Sequence, residues 1–240
     1  MEKLEADIVI VGTGASGLFA ALHVPSDKKV IMLTKSDAEN SDSFLAQGGI
    51  CVLRDKNDFD SFMEDTMKAG HYENRKESVE IMINSSRDII NELIGYGVDF
   101  ATKDGELDYT REGAHSKPRI LFHEDITGKE ITSTLLDAVR KLENVTIMEY
   151  VTMTDIIEKD NVCYGVLAKD ANNNEMCIEA GYTIFACGGI GGLYAHSTNY
   201  PHLTGDAIAI AIQHGIKLEN VDYVQIHPTT LYTKKRGRAF

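Results

Sequence analysis

The chain has 240 residues, with 24 Lys and Arg against 37 Asp and Glu, for a formal net charge of −13. That length supports one large domain or two small ones around a real core, and a composition 43% hydrophobic and 25% charged excludes general disorder. The acidic balance argues against a nucleic-acid partner, whose phosphates need a basic face, and no apolar run approaches the roughly 18 residues of a membrane span. The opening MEKLEAD is no secretory signal. Cys51, Cys163, Cys177 and Cys187 lack the paired spacing of zinc or redox sites and are expected as buried thiols in a reducing cytoplasm.

Residues 6–11 are an apolar, β-branched run that reads as a buried parallel strand. Gly12-Thr13-Gly14-Ala15-Ser16-Gly17 follows, then a helical stretch from residue 18 and a second apolar strand over 29–33. Strand, GxGxxG, helix and strand together form the context of a dinucleotide site. Gly12 permits the tight turn, Gly14 admits a pyrophosphate to the backbone, and Gly17 lets the helix pack on the sheet. An NAD site wants an acid at the end of the second strand, where this chain has Thr34-Lys35. Lys35 therefore argues against an ordinary NAD dehydrogenase.

Residues 41–49 read as a small-residue loop whose paired glycines suit a flat ring or phosphate. Residues 59–98 carry helical periodicity with methionines as core filler. Residues 99–119 form a long polar stretch that gathers Arg111, Glu112, His115, Lys117 and Arg119; this mixture suits an anionic substrate or a solvated surface loop, and composition favours the loop. Thr127-Gly-Lys-Glu130 matches a capping box before a helix over 131–142. Strands over 145–150, 153–159, 163–169 and 176–180 read as an antiparallel meander. A separate apolar strand from residue 183 ends in Gly188-Gly-Ile-Gly-Gly192, where the chain is expected to return to the nucleotide sheet. Asp206 opens a helix that Gly215 stops, and by spacing alone it is a capping acid.

The ordered set GTGASGL, DSFLAQGGI, YTREGAHSKPRI, TGKEI, ACGGIGGLY, TGDAIA and QIHPTTLY resembles the L-aspartate oxidase family, within the succinate dehydrogenase/fumarate reductase flavoprotein superfamily. The resemblance runs over essentially the whole chain. It implies an α/β, Rossmann-like FAD-binding domain over residues 1–233, with inserted helices at about 59–98 and a meander at about 145–180. Residues 234–240 would start a capping region. Family members continue for roughly as long again, through that cap and a helical domain carrying the catalytic arginine, so this chain alone is expected to be inactive.

The implied chemistry is oxidation of L-aspartate to iminoaspartate, the first step of de novo NAD synthesis, with oxygen or fumarate reoxidising the flavin and the imine passing to quinolinate synthase. By resemblance, Thr13, Gly14, Ala15 and Ser16 cradle the pyrophosphate, Lys35 lies near the adenosine end, and Asp206 contacts FAD. Ser43, Phe44, Leu45, Ala46, Gln47, Gly48 and Gly49 line the flavin. Asp42 stands where the respiratory members carry a histidine bonded to FAD, so the cofactor is expected to be non-covalent. Glu112 would face the substrate α-amino group, and Gln225 and His227 its carboxylates; no metal is implied. Two alternatives remain, a fumarate reductase-like flavoprotein and a truncated FAD-binding module without activity.

Overall fold

A computed structural model describes residues 1–226. In chain order the elements are β1 (Glu2–Val11), α1 (Ala15–Leu22), β2 (Val30–Leu33), α2 (Asp42–Leu45), β3 (Ile50–Cys51), α3 (Phe59–Ala69), α4 (Lys76–Tyr96), β4 (Thr102–Lys103) and β5 (Glu106–Leu107). Then come β6 (Ile120–Leu121), α5 (Thr127–Val139), β7 (Val145–Met148), β8 (Thr152–Lys159), β9 (Val162–Lys169), β10 (Glu175–Phe185) and α6 (Asp206–Gln213). The chain divides into two compact units. One comprises Met1–Asp42 with the described residues from Leu136 on, and the other Ser43–Leu135.

The first unit is built on a six-stranded sheet in the order β7-β2-β1-β10-β9-β8. β7, β2, β1 and β10 run parallel, while β10, β9 and β8 are antiparallel. β2 is buried along its whole length, as expected of a strand covered on both faces. Val9, Val11, Ile31 and Leu33 join Val166, Met176, Ile178 and Ile210 in one core. The register sets Val11 opposite both Leu33 and Phe185, and Leu33 opposite Met148. Four parallel strands therefore end flush at one edge, where open α/β sheets bind ligands.

The α/β class, with a parallel sheet and an antiparallel meander, is as expected from the sequence. Two strand assignments change. β7 pairs parallel with β2 and lies outside the meander, because short spacing along the chain does not fix which strand a neighbour pairs with. The two strands expected over 176–180 and from 183 are one, β10, which pairs with β9 along its first half and with β1 along nearly its whole length. β1 also begins early, at Glu2, because Glu2–Ala6 find partners in Met176–Ala180.

In the second unit α3 and α4 enclose Phe62, Val79, Ile83 and Leu53, with Cys51, Met63 and Met67 at the margin. Ile81 and Met82 are instead 70% and 43% exposed. At 100° per residue, the three consecutive apolar side chains Ile81, Met82 and Ile83 cannot all face inward; the buried stripe is Val79, Ile83, Ile90 and Leu93. α4 stops at Gly97 in the left-handed conformation (φ 106°). α5 starts at Thr127 and ends at Val139, so it begins and ends earlier than expected.

The expected capping box does not form. Thr127 Oγ1 accepts from the His123 N–H at 2.9 Å, and Glu130 Oε1 from the Asp99 N–H at 2.9 Å. Of the four free cysteines, Cys177 is buried and the other three are half-buried, a partial departure from the expected burial. No described helix is long and apolar enough to cross a membrane.

Candidate cofactor edge and carboxylate loop

At the flush edge of the sheet the backbone does most of the construction. Gly12 has φ +116° and donates its N–H to the Leu33 carbonyl at 2.8 Å. A Cβ on Gly12 would lie 2.1 Å from the Ala186 oxygen, and one on Gly17 would lie 2.1 Å from the Gly12 oxygen. The first glycine turn is thus packed directly on the start of the second, as the sequence suggested. Thr13 is buried. Gly14 caps α1, whose first turn carries no acidic residue and no side-chain cap bond at Gly14. A helix N-terminus without a carboxylate of its own suits a pyrophosphate.

Lys35 and Asp206, far apart in sequence, meet beside this edge. Lys35 Nζ donates to Asp206 Oδ2 at 2.7 Å and to Thr204 Oγ1 at 2.8 Å. Thr204 Oγ1 in turn donates to Asp206 Oδ1 at 2.7 Å. Together with Thr154, Lys169 and Gln213, these residues line an open cleft of about 520 Å³. The Cys187 thiol, pushed up to about 11 by burial and by the nearby Asp206 charge, stays protonated and unreactive. Asp42 Oδ1 accepts the Tyr200 N–H at 3.0 Å.

The loop expected over residues 41–49 contains a helical turn, α2, followed by the exposed Ala46, Gln47 and Gly48. Gly128 packs beneath it. Its N–H donates to the Ala46 carbonyl at 2.8 Å, and a Cβ there would lie 2.2 Å from the Ser43 oxygen. Sequence reasoning assigned this glycine only to a capping box. The signal appears once α5 is seen to begin at Thr127: a glycine inside a helix costs about 1 kcal/mol relative to Ala and so calls for a packing reason. The Phe44 ring has Lys129 Nζ at 5.9 Å from its centroid.

Glu112 is exposed and lies against the same turn. Its Oε1 is 3.5 Å from the Gly49 N–H, the outer limit of a hydrogen bond, and a Cβ on Gly48 would meet its Oε2 at 3.6 Å. The rest of the stretch is largely exposed, as composition favoured, with two departures. It holds the β4–β5 hairpin, and it ends in Arg119, which is fully buried.

Arg119 Nε and Nη2 grip Asp58 at 3.0 and 2.9 Å, and Nη1 reaches Asp65 at 2.5 Å. Ser61 Oγ and His115 Nδ1 take further bonds at 3.1 Å each, and the guanidinium stacks over Phe62. Burial works to raise both carboxyls. The Arg119 hydrogen bonds and charge, with Lys117 at Asp58 and the Ser116 N–H at Asp65, outweigh it and hold both below the usual carboxylate value. Of the expected carboxylate-holding residues, Gln225 is exposed; His227 and residues 234–240 lie outside the described residues.

A glycine turn at the flush edge of a parallel sheet, leading into a helix N-terminus, defines a dinucleotide-binding fold. Residues 7–240 match the FAD binding domain family, and the chain belongs to it. Its curated relatives include the L-aspartate oxidase of Clostridium perfringens, 44% identical over 97% of this chain and 53% of the relative. The L-aspartate oxidase of Clostridium acetobutylicum is 45% identical over 96% of this chain and 53% of the relative. The chain thus spans about half the length of these relatives. Among solved structures, Mycobacterium smegmatis Sdh1 in complex with UQ1 superposes with TM-score 0.81 at 28% identity, covering 89% of this chain and 39% of that one. A quinol-fumarate reductase with menaquinol molecules gives 0.82 at 25% identity, covering 90% and 38%.

Proposed function

We propose that this chain is the FAD-holding part of an oxidoreductase that converts L-aspartate to iminoaspartate, with oxygen or fumarate as electron acceptor. The observation that carries the reading is the Glu112 carboxylate, loosely held at 3.5 Å from the Gly49 N–H on an exposed turn. A carboxylate so weakly engaged is available to an ammonium group. A substrate without that group leaves it unpaired on desolvation, which disfavours succinate. The identity of 44–45% to two L-aspartate oxidases supports the same substrate.

FAD, when bound, takes up the electron pair that the substrate loses. The chain's own residues bind and orient. Gly12 to Gly17 offer backbone and a helix N-terminus to the pyrophosphate, and the cleft at Lys35, Thr204 and Asp206 receives the adenosine end. Ser43 to Gly49 line the flavin, and Asp42, in place of a histidine, leaves the cofactor non-covalently held. Gln225 and His227 hold the substrate carboxylates. The product is the first intermediate of de novo NAD synthesis, and the reading carries a cytoplasmic location with the imine passing to quinolinate synthase.

The test uses the chain extended to the length of the Clostridium relatives and loaded with FAD. L-aspartate is expected to drive peroxide formation and succinate is not. Succinate or fumarate turnover without aspartate activity would instead establish the fumarate reductase-like reading, which the structural likeness to quinol-fumarate reductase favours.

A further inference from the structure

The buried ion-pair knot and the exposed Glu112 lie at opposite ends of one short stretch. From Ser116 to Arg119 that stretch is fastened along α3. The Ser116 N–H and Oγ both donate to Asp65 Oδ2 at 2.8 Å, Ser116 Oγ lies 2.9 Å from Ser61 Oγ, and Lys117 Nζ is 3.3 Å from Asp58. Residues 111–114 are exposed. His115 stands between the two. Its backbone N–H donates to the Glu112 carbonyl at 3.3 Å, across a turn in which Ala114 has φ 68°.

The His115 ring is half-buried, packs edgewise on Phe62 with centroids 6.0 Å apart, and presents Nδ1 to Arg119 Nη1 at 3.1 Å. A guanidinium can only donate, so Nδ1 must accept, and the ring is neutral with its proton on Nε2. Burial and then the Arg119 charge favour that neutral form, against the opposing pull of Asp65, Glu112 and Asp58.

We infer that His115 is a positioning residue. By accepting a hydrogen bond from Arg119, it fixes the turn that sets the Glu112 carboxylate at Gly48 and Gly49, and so sets the preference for an amino dicarboxylate over a plain one. This rests on the reading of Glu112 as the group that meets the substrate ammonium. The fixed geometry matters because a carboxylate held only by a 3.5 Å contact to Gly49 gains little placement from that contact itself.

The test compares, in the extended, FAD-loaded protein, the KM for L-aspartate oxidation with the inhibition constant of succinate. His115→Leu, which cannot accept from Arg119, is expected to lower the aspartate preference about tenfold with succinate affinity unchanged. His115→Asn, whose Oδ1 can take the place of Nδ1, is expected to restore it to within about twofold of the unsubstituted protein. Equal loss of both ligands in His115→Leu would reduce the residue to a structural role and overturn the inference.

Glu112→Gln separates the two claims. If it removes the preference and His115→Leu does not, the positioning role fails and the Glu112 reading stands. If Glu112→Gln keeps the preference, the Glu112 reading itself fails. A readout that needs no variant is nitrogen NMR of the His115 ring in the 240-residue chain. Unprotonated Nδ1 and protonated Nε2 are expected, and a proton on Nδ1 near neutral pH would contradict the inference.

Discussion

The two units hold their candidate residues by different means. At the edge of the sheet the site is made of backbone: strand ends brought flush by register, and glycines whose missing side chains leave room for the chain to approach itself. In the unit around α3 it is made of charge, with a buried guanidinium shared between two carboxylates and a histidine. A site of the first kind resists changes of charge but not the addition of a methyl group. The second kind tolerates small changes of volume, but not the loss of one partner, and it depends on pH.

The largest effect is expected from Arg119→Met. It takes the shared guanidinium from Asp65 and from Asp58, whose side chain is 4% exposed and is left with the half-exposed Lys117, and breaking a buried pair in this way costs about 3–5 kcal/mol. Urea denaturation of the chain measures it. A loss below about 1 kcal/mol would mean that the knot behaves like a surface ion pair and that the contrast between the units is unfounded.

Gly12→Ala comes next. It adds a Cβ 2.1 Å from the Ala186 oxygen at φ +116°, so overpacking and backbone strain together cost about 3 kcal/mol. FAD affinity, read by flavin fluorescence, is expected to fall about a hundredfold. Unchanged affinity would break the claim that this edge is built from backbone.

Acid sharpens the comparison without a mutation. Asp58 and Asp65 titrate lower in the fold than in the unfolded chain. Their contribution is therefore complete above the unfolded value of about 3.9 and is lost as pH falls through their lower folded values. The lowered His115 works in the same direction at higher pH, because the fold favours its neutral form. Its contribution is complete above about pH 6.5 and declines below that. Stability measured against pH is expected to fall less steeply below about pH 4 in Asp58→Asn, relative to that variant's own neutral value, than in the unsubstituted chain. Parallel curves would remove the knot from the acid response.

The smallest effect is expected from Asp206→Asn, which weakens a pair with about a quarter of each side chain exposed. Stability should change by less than about 1 kcal/mol. FAD affinity should fall about tenfold, as for loss of one charged hydrogen bond. A stability loss as large as that of Arg119→Met would contradict the division of labour.

The same contrast explains what could be read from the sequence. Gly12, Gly14 and Gly17 announce themselves by spacing within strand, turn and helix, and the closing of β10 onto β1 follows from a second apolar run ending in glycines. The parallel pairing of β7 escaped notice, because the spacing of strands along the chain does not report their partners. Arg119 was visible as one charge of the polar stretch, but its burial and its partners were not, for a different reason. Its partners Asp58 and Asp65 lie 61 and 54 residues earlier, and local composition makes the stretch around it look solvated. Gly128 was visible but was explained by the nearest local motif, when its reason was packing against Ala46 and Ser43. Glu112 was found by family pattern; its long contact to Gly49 is what the structure adds.

The central claim is that Glu112 selects an amino dicarboxylate for the flavin. It is tested most directly by adding L-aspartate or succinate anaerobically to the FAD-loaded protein at the relatives' length and following loss of the flavin's yellow colour. The account predicts rapid bleaching by L-aspartate, none by succinate, and loss of the aspartate reaction in Glu112→Gln. Bleaching by succinate at a comparable rate, or unimpaired bleaching by aspartate in Glu112→Gln, would contradict it.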